Sequence, residues 1–446
     1  MSKPIVAIIG KPNVGKSRFF NYVVGQRISI VEDTPGVTRD RIYADATWRD
    51  RTFTLIDTGG IEELKNNENQ FAVQMREQAN IAISLADVIL FITDLKQGVT
   101  ASDRDIAMML KKSNKPVILV CNKVDNYGEP PADIYEFYNL GLGDPHPISA
   151  ANAIGIGDLL DEIYYKLPPK AEEDEDENKI KVALIGKPNA GKSSLLNKIL
   201  GEERSIVSDV AGTTRDAIDS EFSNEFGNYI FIDTAGIRRK SKVNESIEKF
   251  SIMRTLLAIE SSDVCIVLID ASEGVTDQDA KVLGEAHEAG KGIIIAVNKW
   301  DLVEKDNHTL ETFKKEVYNK LSYAQYAPMI FISAKTGQRV NKLFEMINTV
   351  NESNSLRLST SVINDVLNEA ISVVQPPTDK GKRLKIYYAT QASTRPPTFI
   401  FFVNDKELFH FSYQRYLINC FRNNFGFEGT PIRLIIREKG DKENFR

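Results

Sequence analysis

The chain has 446 residues, 42 % of them hydrophobic, with 56 Lys and Arg against 62 Asp and Glu, for a net charge of −6. This is the balance of a soluble globular chain long enough for about three domains, and it argues against a protein that binds nucleic acid along its whole length. Cys121, Cys265 and Cys420 stand far apart in apolar surroundings and read as small buried hydrophobes rather than a disulfide framework or metal site. No early apolar run resembles an export leader and none is long enough to span a bilayer, so a reducing cytoplasm is the expected compartment.

Residues 1–168 read as an α/β unit. The apolar runs Ile5–Ile9, Phe53–Ile56, Val88–Thr93 and Pro116–Cys121 are short and nearly unbroken. That pattern predicts strands covered on both faces, as in a parallel sheet. Amphipathic stretches lie between them, as at Ile106, Met109 and Leu110, and a helical segment, Ile156–Leu167, is closed by Pro168-Pro169. Residues 169–178 hold six consecutive acids, Glu172-Glu173-Asp174-Glu175-Asp176-Glu177. Their mutual repulsion favours an extended, solvated linker; an acidic docking tail for a basic partner is the alternative. Residues 179–352 repeat the first unit with every motif displaced by 176 positions: Gly10 to Gly186, Asp57 to Asp233, Asn122 to Asn298. A constant displacement indicates tandem duplication of one fold. Residues 353–446 match neither copy. They predict helix Val362–Val374, strands Leu384–Thr390 and Thr398–Val403, helix Tyr413–Asn424 and strand Ile432–Arg437. From Gln375 onward, 13 Lys and Arg face 7 Asp and Glu, with aromatics interleaved. This is either a small α+β domain with an aromatic core or a surface that attracts phosphates, as RNA would require.

Four motifs recur in the same order in each copy. The first is Gly10-Lys11-Pro12-Asn13-Val14-Gly15-Lys16-Ser17, matched by Gly186-Lys187-Pro188-Asn189-Ala190-Gly191-Lys192-Ser193. Both fit G-x-x-x-x-G-K-[ST] between a strand and a helix, the setting of a phosphate-cradling loop. Lys16 and Lys192 are expected at the β/γ-phosphates, and the Ser17 and Ser193 hydroxyls on Mg²⁺. The second motif is Gly36-Val37-Thr38-Arg39-Asp40, repeated as Gly212-Thr213-Thr214-Arg215-Asp216. Thr38 and Thr214 are candidates to reach Mg²⁺ and the γ-phosphate in a segment that orders and releases with nucleotide state. The third is Asp57-Thr58-Gly59-Gly60, with Asp233-Thr234-Ala235-Gly236. Asp57 and Asp233 would hold Mg²⁺, and the Gly60 and Gly236 N–H groups would sense the γ-phosphate. The fourth is Asn122-Lys123-Val124-Asp125, with Asn298-Lys299-Trp300-Asp301. The Asp125 and Asp301 carboxylates can accept from the N1–H and exocyclic amine of guanine. Adenine offers an acceptor at N1 and would leave a buried charge poorly paired. Asn122 and Asn298 are expected at the other edge of the base. Ser149-Ala150 and Ser333-Ala334-Lys335 follow where a backbone N–H would meet the guanine O6.

These features resemble the translation-factor-like P-loop GTPases, and most closely the tandem-GTPase family called Der or EngA. The segment Phe425-Gly426-Phe427-Glu428-Gly429-Thr430-Pro431-Ile432-Arg433 is similar to that family's KH-like domain. The resemblance implies two tandem P-loop GTPase domains, each a mostly parallel sheet with helices on both faces, followed by a C-terminal KH-like α+β domain. It implies GTP/GDP and Mg²⁺ as ligands. It also implies a factor that acts late in assembly of the large (50S) ribosomal subunit and contacts that subunit and its rRNA; a monomer that binds no DNA and does not insert into membranes is expected. A nucleotide-gated RNA or ribosome scaffold with one non-hydrolysing site is the alternative; a tRNA-modifying or membrane-associated GTPase is disfavoured.

Several positions depart from common GTPase patterns. Many GTPases place a water-orienting Gln directly after D-x-x-G; here Ile61 and Ile237 stand there. The resemblance suggests K⁺ beside the phosphates, held by Asn13 and Asn189, whose alternative role is to brace the loop. Arg18 follows the first phosphate-loop serine where the second copy has Ser194. Gly426-Phe427-Glu428-Gly429 matches the G-x-x-G of RNA-gripping KH domains but leads into a strand, so it reads as a structural turn. Arg238-Arg239-Lys240 is either an RNA or domain contact or a solvated basic loop.

Overall fold

The uncharged run Ile5–Ile9 forms strand β1, buried at its last four residues. It sits between two layers because both sets of alternating side chains are apolar. The computed structural model describes residues 3–25, 43–57, 79–80, 82–124, 131–169, 179–201, 219–232, 247–304, 306, 308–379 and 382–438. The chain divides into two units, Met1–Glu173 and Asp174–Arg446.

In the first unit, β1 is followed by α1 (Lys16–Gly25), β2 (Tyr43–Trp48), β3 (Arg51–Asp57), β4 (Val88–Asp94), α2 (Ala101–Lys112), β5 (Val117–Asn122), β6 (His146–Pro147) and α3 (Ile156–Lys166). The sheet order is β2-β3-β1-β4-β5-β6. Only β2 runs antiparallel to its neighbour. Val6, Ile8, Leu90 and Ile92 face one core layer, and Ala7, Ile9, Ile89 and Phe91 face the other. All seven positions of β4 are buried, which is why its sequence does not alternate. Helix α2 starts at a reciprocal capping box in which Thr100 and Asp103 satisfy each other's backbone N–H.

The second unit opens with the same design: β7 (Lys179–Ile185), α4 (Lys192–Leu200), β8 (Ser220–Asn224), β9 (Gly227–Phe231), α5 (Ile247–Ser261), β10 (Val264–Asp270), α6 (Asp277–Glu288), β11 (Gly292–Asn298), α7 (Thr309–Lys320), β12 (Met329–Phe331) and α8 (Lys342–Ser355). The sheet order β12-β11-β10-β7-β9-β8 mirrors the first. The capping box recurs at Thr276 and Asp279. Cys121 and Cys265 are fully buried; burial pushes their thiols up to about 12 and about 11, so they behave as hydrophobes.

The rest of the second unit is α9 (Thr360–Val373), a short ribbon of β13 (Thr378–Asp379) and β14 (Lys382–Arg383), then β15 (Ile386–Ser393), β16 (Thr398–Val403), α10 (Phe411–Phe425) and β17 (Arg433–Glu438). Strand β16 pairs antiparallel with β15 and parallel with β17. The strand expected from Leu384 begins at Ile386, because the Leu384 N–H donates to Pro377 O and the leucine packs in the core. Phe399 and Phe401 face Phe421 of α10, so these aromatics fill the core.

Three arginines of this segment reach loops and a helix end of the preceding domain. The Arg422 guanidinium lies 4.4 Å from the centre of the Tyr326 ring and donates to Phe427 O and Thr430 O at 2.6 Å each. Burial pulls its pKa down to about 10, with Tyr326 opposing. Arg395 pairs with Asp263 at 3.1 Å, and Arg433 donates to Glu288 O. The Gly426-Phe427-Glu428-Gly429 turn joins this docking. Ile293 N–H donates to Gly429 O at 2.7 Å and Gly429 N–H donates to Tyr326 O at 2.9 Å. Gly429 has φ +69°, and a Cβ there would crowd Val350. The turn is structural, as its place before a strand implied.

His287 Nδ1 and the Tyr326 hydroxyl share a hydrogen bond of 2.7 Å in this junction. Burial lowers the His287 pKa below 6.5; Glu288 opposes this, and Arg433 and Arg422 add to it. The folded unit therefore favours the neutral ring. Its contribution is present above pH 6.5 and is lost as pH falls through the depressed folded value. Between pH 7.5 and 5.5, protection of the Ile293 and Gly429 amides against hydrogen exchange, corrected for the intrinsic rate, should fall more in the parent chain than in His287→Gln. Unchanged protection in the parent would refute this coupling.

Candidate nucleotide site

Each glycine-rich loop is built around backbone shapes that few residues adopt. Gly15 and Gly191 both have φ +99°, and a Cβ at either would collide with the amide of Asn122 or Asn298. Asn13 and Asn189 take left-handed φ of 63° and 65°. Asparagine enters that region more readily than most side chains, so the backbone itself gives a reason for both. Lys16 Nζ donates to Gly10 O and Lys11 O at 2.7 and 2.8 Å, and Lys192 donates to Gly186 O and Lys187 O at 2.6 Å each. A lysine thus crosses the mouth of each loop. Val14 and Ala190 are buried in the cores, and Pro12 and Pro188 flank the left-handed asparagines.

The fourth motif is tied to this loop. Asn122 Nδ2 donates to Val14 O at 2.7 Å, and its Oδ1 accepts from Ala150 N–H at 2.9 Å. Asn298 repeats both bonds, to Ala190 O and from Ala334 N–H, at 2.9 Å each. The asparagine expected at the base edge therefore joins three loops. The Ala150 and Ala334 N–H groups, expected at the guanine O6, hold its carboxamide here. Ser149 and Ser333 are fully buried, and their hydroxyls accept from Asn152 N–H and Thr336 N–H. The side chains of Val124 and Trp300 belong to the core rather than to a ligand face; the Trp300 ring sits 4.4 Å from that of Phe331. Lys123 and Lys299 have φ 71° and 61°, and each donates to a buried aspartate, Asp94 at 2.7 Å and Asp270 at 2.5 Å. Burial works to raise the Asp270 pKa, but the Lys299 bond and the Ser272 hydroxyl and N–H outweigh it and hold it below the usual range.

Ser17 Oγ donates to Asp57 Oδ2 at 2.7 Å, so two expected magnesium ligands of the first copy already meet. Lys11 reaches outward to Thr100 Oγ1 at 2.7 Å and Asp103 Oδ2 at 2.9 Å. Lys187 pairs instead with Glu273 at 2.7 Å and lies 3.8 Å from Asp279. Burial lowers the Lys187 pKa, and the Glu273 bond and the Asp279 charge more than reverse that. Arg18 is exposed. Thr38, Thr58, Gly59, Gly60, Ile61 and Asp125 of the first copy lie outside the described residues. So do Thr214, Asp233, Thr234, Ala235, Gly236, Ile237 and Arg238-Arg239-Lys240 of the second, and the acidic linker.

Sequence reasoning missed the supporting acids Asp94, Asp103, Asp270 and Asp279. Their signal was available: Asp94…Gly98-Val99-Thr100…Asp103 recurs as Asp270…Gly274-Val275-Thr276…Asp279 at the same displacement of 176.

A family described as 50S ribosome-binding GTPase matches residues 5–123 and again 181–299. The KH-domain-like C-terminal region of EngA bacterial GTPase enzymes matches residues 357–437. The chain is 61 % identical over 439 residues to GTPase Der of Acetivibrio thermocellus, covering 98 % of this chain and 99 % of that one. It is 59 % identical over 443 residues to GTPase Der of Agathobacter rectalis, covering 99 % and 100 %. The chain belongs to the GTPase Der family. It is a GTPase with two G domains, and the family implies binding of GTP and GDP. No helix among the described residues is long and apolar enough to cross a membrane.

The asparagine brace makes a direct prediction. Asn122→Ala strands the Val14 carbonyl and the Ala150 N–H, and Asn298→Ala does the same in the second copy. Each change should weaken guanine-nucleotide binding roughly 10- to 100-fold in its own copy, the cost of orphaned buried polar groups, while the other copy keeps its affinity. Titration with a fluorescent GDP analogue, read as loss of one of two tight sites, checks it.

Proposed function

We propose that both G domains bind GTP with Mg²⁺ and hydrolyse it slowly. Nucleotide state then governs the arrangement of the modules and their engagement of the large ribosomal subunit and its rRNA during late assembly in the cytoplasm. The observation that carries this reading is the duplicated cradle. In both copies a lysine spans a glycine-rich loop, and the asparagine of the fourth motif pins that loop to the Ser149-Ala150 or Ser333-Ala334 segment. A phosphate chain suits the same geometry, because each loop leads directly into a helix N-terminus, at Lys16 and at Lys192.

In this reading Lys16 and Lys192 exchange loop carbonyls for the β/γ-phosphates. Ser17 with Asp57, and Ser193 with Asp233, would hold Mg²⁺, joined by Thr38 and Thr214; when bound, the ion would supply positive charge to offset the phosphate oxygens. The Gly60 and Gly236 N–H groups report the γ-phosphate. Asp125 and Asp301 accept from guanine, with Ser149-Ala150 and Ser333-Ala334 closing the base pocket. Ile61 and Ile237 cannot orient an attacking water, so turnover depends on other groups. The family resemblance suggests K⁺ beside the phosphates at Asn13 and Asn189, where the ion would offset transition-state charge as an arginine finger does. Turnover should therefore be faster in K⁺ than in Na⁺.

Calorimetry should find GTP bound in preference to ATP by several powers of ten; comparable ATP uptake would overturn the guanine assignment. Lys16→Ala and Lys192→Ala, tested separately, should each remove the turnover of one copy. Full turnover after either change would mark that copy as a non-hydrolysing scaffold site. Purified 50S subunits should co-sediment with the protein in a nucleotide-dependent way. Equal co-sedimentation with GDP, an unhydrolysable GTP analogue and no nucleotide would defeat the gating.

A further inference from the structure

Between the guanine motif and the Ser149-Ala150 loop, the first unit carries a 3₁₀ helix, Ala132–Leu140. In a 3₁₀ helix, side chains three apart eclipse one another. One row, Ile134, Phe137 and Leu140, is buried and anchors the helix on the core. The next row is Tyr135 and Tyr138. Their rings stack with centroids 6.1 Å apart and planes 19° from parallel, yet they are 69 % and 46 % exposed. The buried row already fastens the helix, so the fold does not need this pair.

The charge around the pair selects what it fits. Between Asp125 and Ser149 the chain has Glu129, Asp133, Glu136 and Asp144 and no Lys or Arg. Between Asp301 and Ser333 of the second copy, Glu304, Asp306, Glu311 and Glu316 are balanced by Lys305, Lys314, Lys315 and Lys320. A regular helix, α7, stands there without the stacked pair. Asp133 and Glu136 form the third row of the 3₁₀ helix, and Asp144 lies beside the Tyr138 hydroxyl. Lys111, from the end of α2, reaches over Gly141 at the end of the 3₁₀ helix. Faces of exposed aromatic rings attract ammonium and guanidinium groups, and flanking carboxylates pair with them. The same carboxylates repel a phosphate backbone.

We propose that the stacked Tyr135–Tyr138 face of the first G domain is a docking surface for a Lys- and Arg-bearing segment of another protein. It also lies close to the nucleotide loop. Glu136 accepts from Val99 N–H at 3.4 Å, and the neighbouring Thr100, with Asp103, holds Lys11. The second copy, lacking the pair and the charge imbalance, does not share the surface. This inference is independent of the ribosomal reading.

The test uses the full chain with Glu172, Glu173, Asp174, Glu175, Asp176 and Glu177 changed to Gln or Asn, so that the linker does not compete. The probe is a short fluorescent peptide of Lys, Arg and Gly, read by anisotropy at low salt, with oligo(U) RNA alongside. Tyr135→Ala with Tyr138→Ala should weaken peptide binding about fivefold, the size of one or two exposed cation–π contacts. Tyr135→Phe with Tyr138→Phe should retain it, and Asp133→Asn with Glu136→Gln should weaken it again. GTP turnover should stay unchanged in the tyrosine variants, which separates failure here from failure of the GTPase assignment. Undiminished peptide binding by the double alanine variant would overturn the proposal. Loss of RNA binding instead of peptide binding would assign the face to nucleic acid and also overturn it.

Discussion

A buried carboxamide holds each nucleotide cradle together. Asn122 and Asn298 are almost fully enclosed, and each donates to the carbonyl of the residue before the second loop glycine while accepting from a backbone N–H two segments away. Inside a protein such a group is costly unless both its atoms are paired. Pairing them here fixes the distance between a phosphate loop at the end of one strand and a base-recognition loop at the end of another. The absence of a Cβ at Gly15 and Gly191 follows from this arrangement, because the amide occupies that space. Glycine at these positions serves the brace as well as any phosphate.

The brace works because the sheet delivers its strand ends in register. Strands β1, β4 and β5 are parallel neighbours, with Ile9 beside Phe91 and Asp94 beside Asn122. Asp270 stands beside Asn298 in the second copy. The loops leaving these strands therefore emerge at one edge, where α/β sheets bind their ligands. The lysine after each asparagine is left-handed and turns back to the aspartate of the adjacent strand, at 2.7 Å in one copy and 2.5 Å in the other. A charged bond so close to the core keeps the base loop from drifting away from the phosphate loop.

What the sequence made legible was the part whose chemistry is local. The uninterrupted runs of β4 and β10 are buried at every position, as strands covered on both faces must be. The described parts of the duplicated motifs fall at strand ends: Gly10 and Gly186 follow β1 and β7, Asp57 ends β3, and Asn122 and Asn298 end β5 and β11. What stayed hidden depended on partners distant in the chain. The basic end of the chain left two readings open, and its Arg395, Arg422 and Arg433 join Asp263, the Tyr326 ring and the Glu288 carbonyl. Nothing local distinguishes a docking arginine from a solvated one. Trp300 sat inside a recognition motif, yet its ring is in the core, because the loop needs an anchor as much as a ligand face.

The two copies also differ in how the hairpin after the second motif is fastened. In the first, Trp48 and Arg49 bond Asp161 of α3 at 2.6 Å each, and the guanidinium covers Tyr164 and Tyr165. In the second, Phe222 and Phe226 stack on Phe344 of α8, and Asn348 bonds both Tyr229 and the Phe226 carbonyl. A half-exposed polar clasp is screened by solvent and yields more easily than a buried aromatic stack. Helix α8 is then engaged at its far end as well, where Asn354 O accepts from Arg395 N–H and Val350 lies against Gly429. A displacement of the second hairpin would therefore act on a rigid helix whose other end carries the KH-like segment. In the first copy the hairpin's tie to α3 is the half-exposed clasp at Asp161 instead, so the two hairpins are fastened to their following helices by different chemistry.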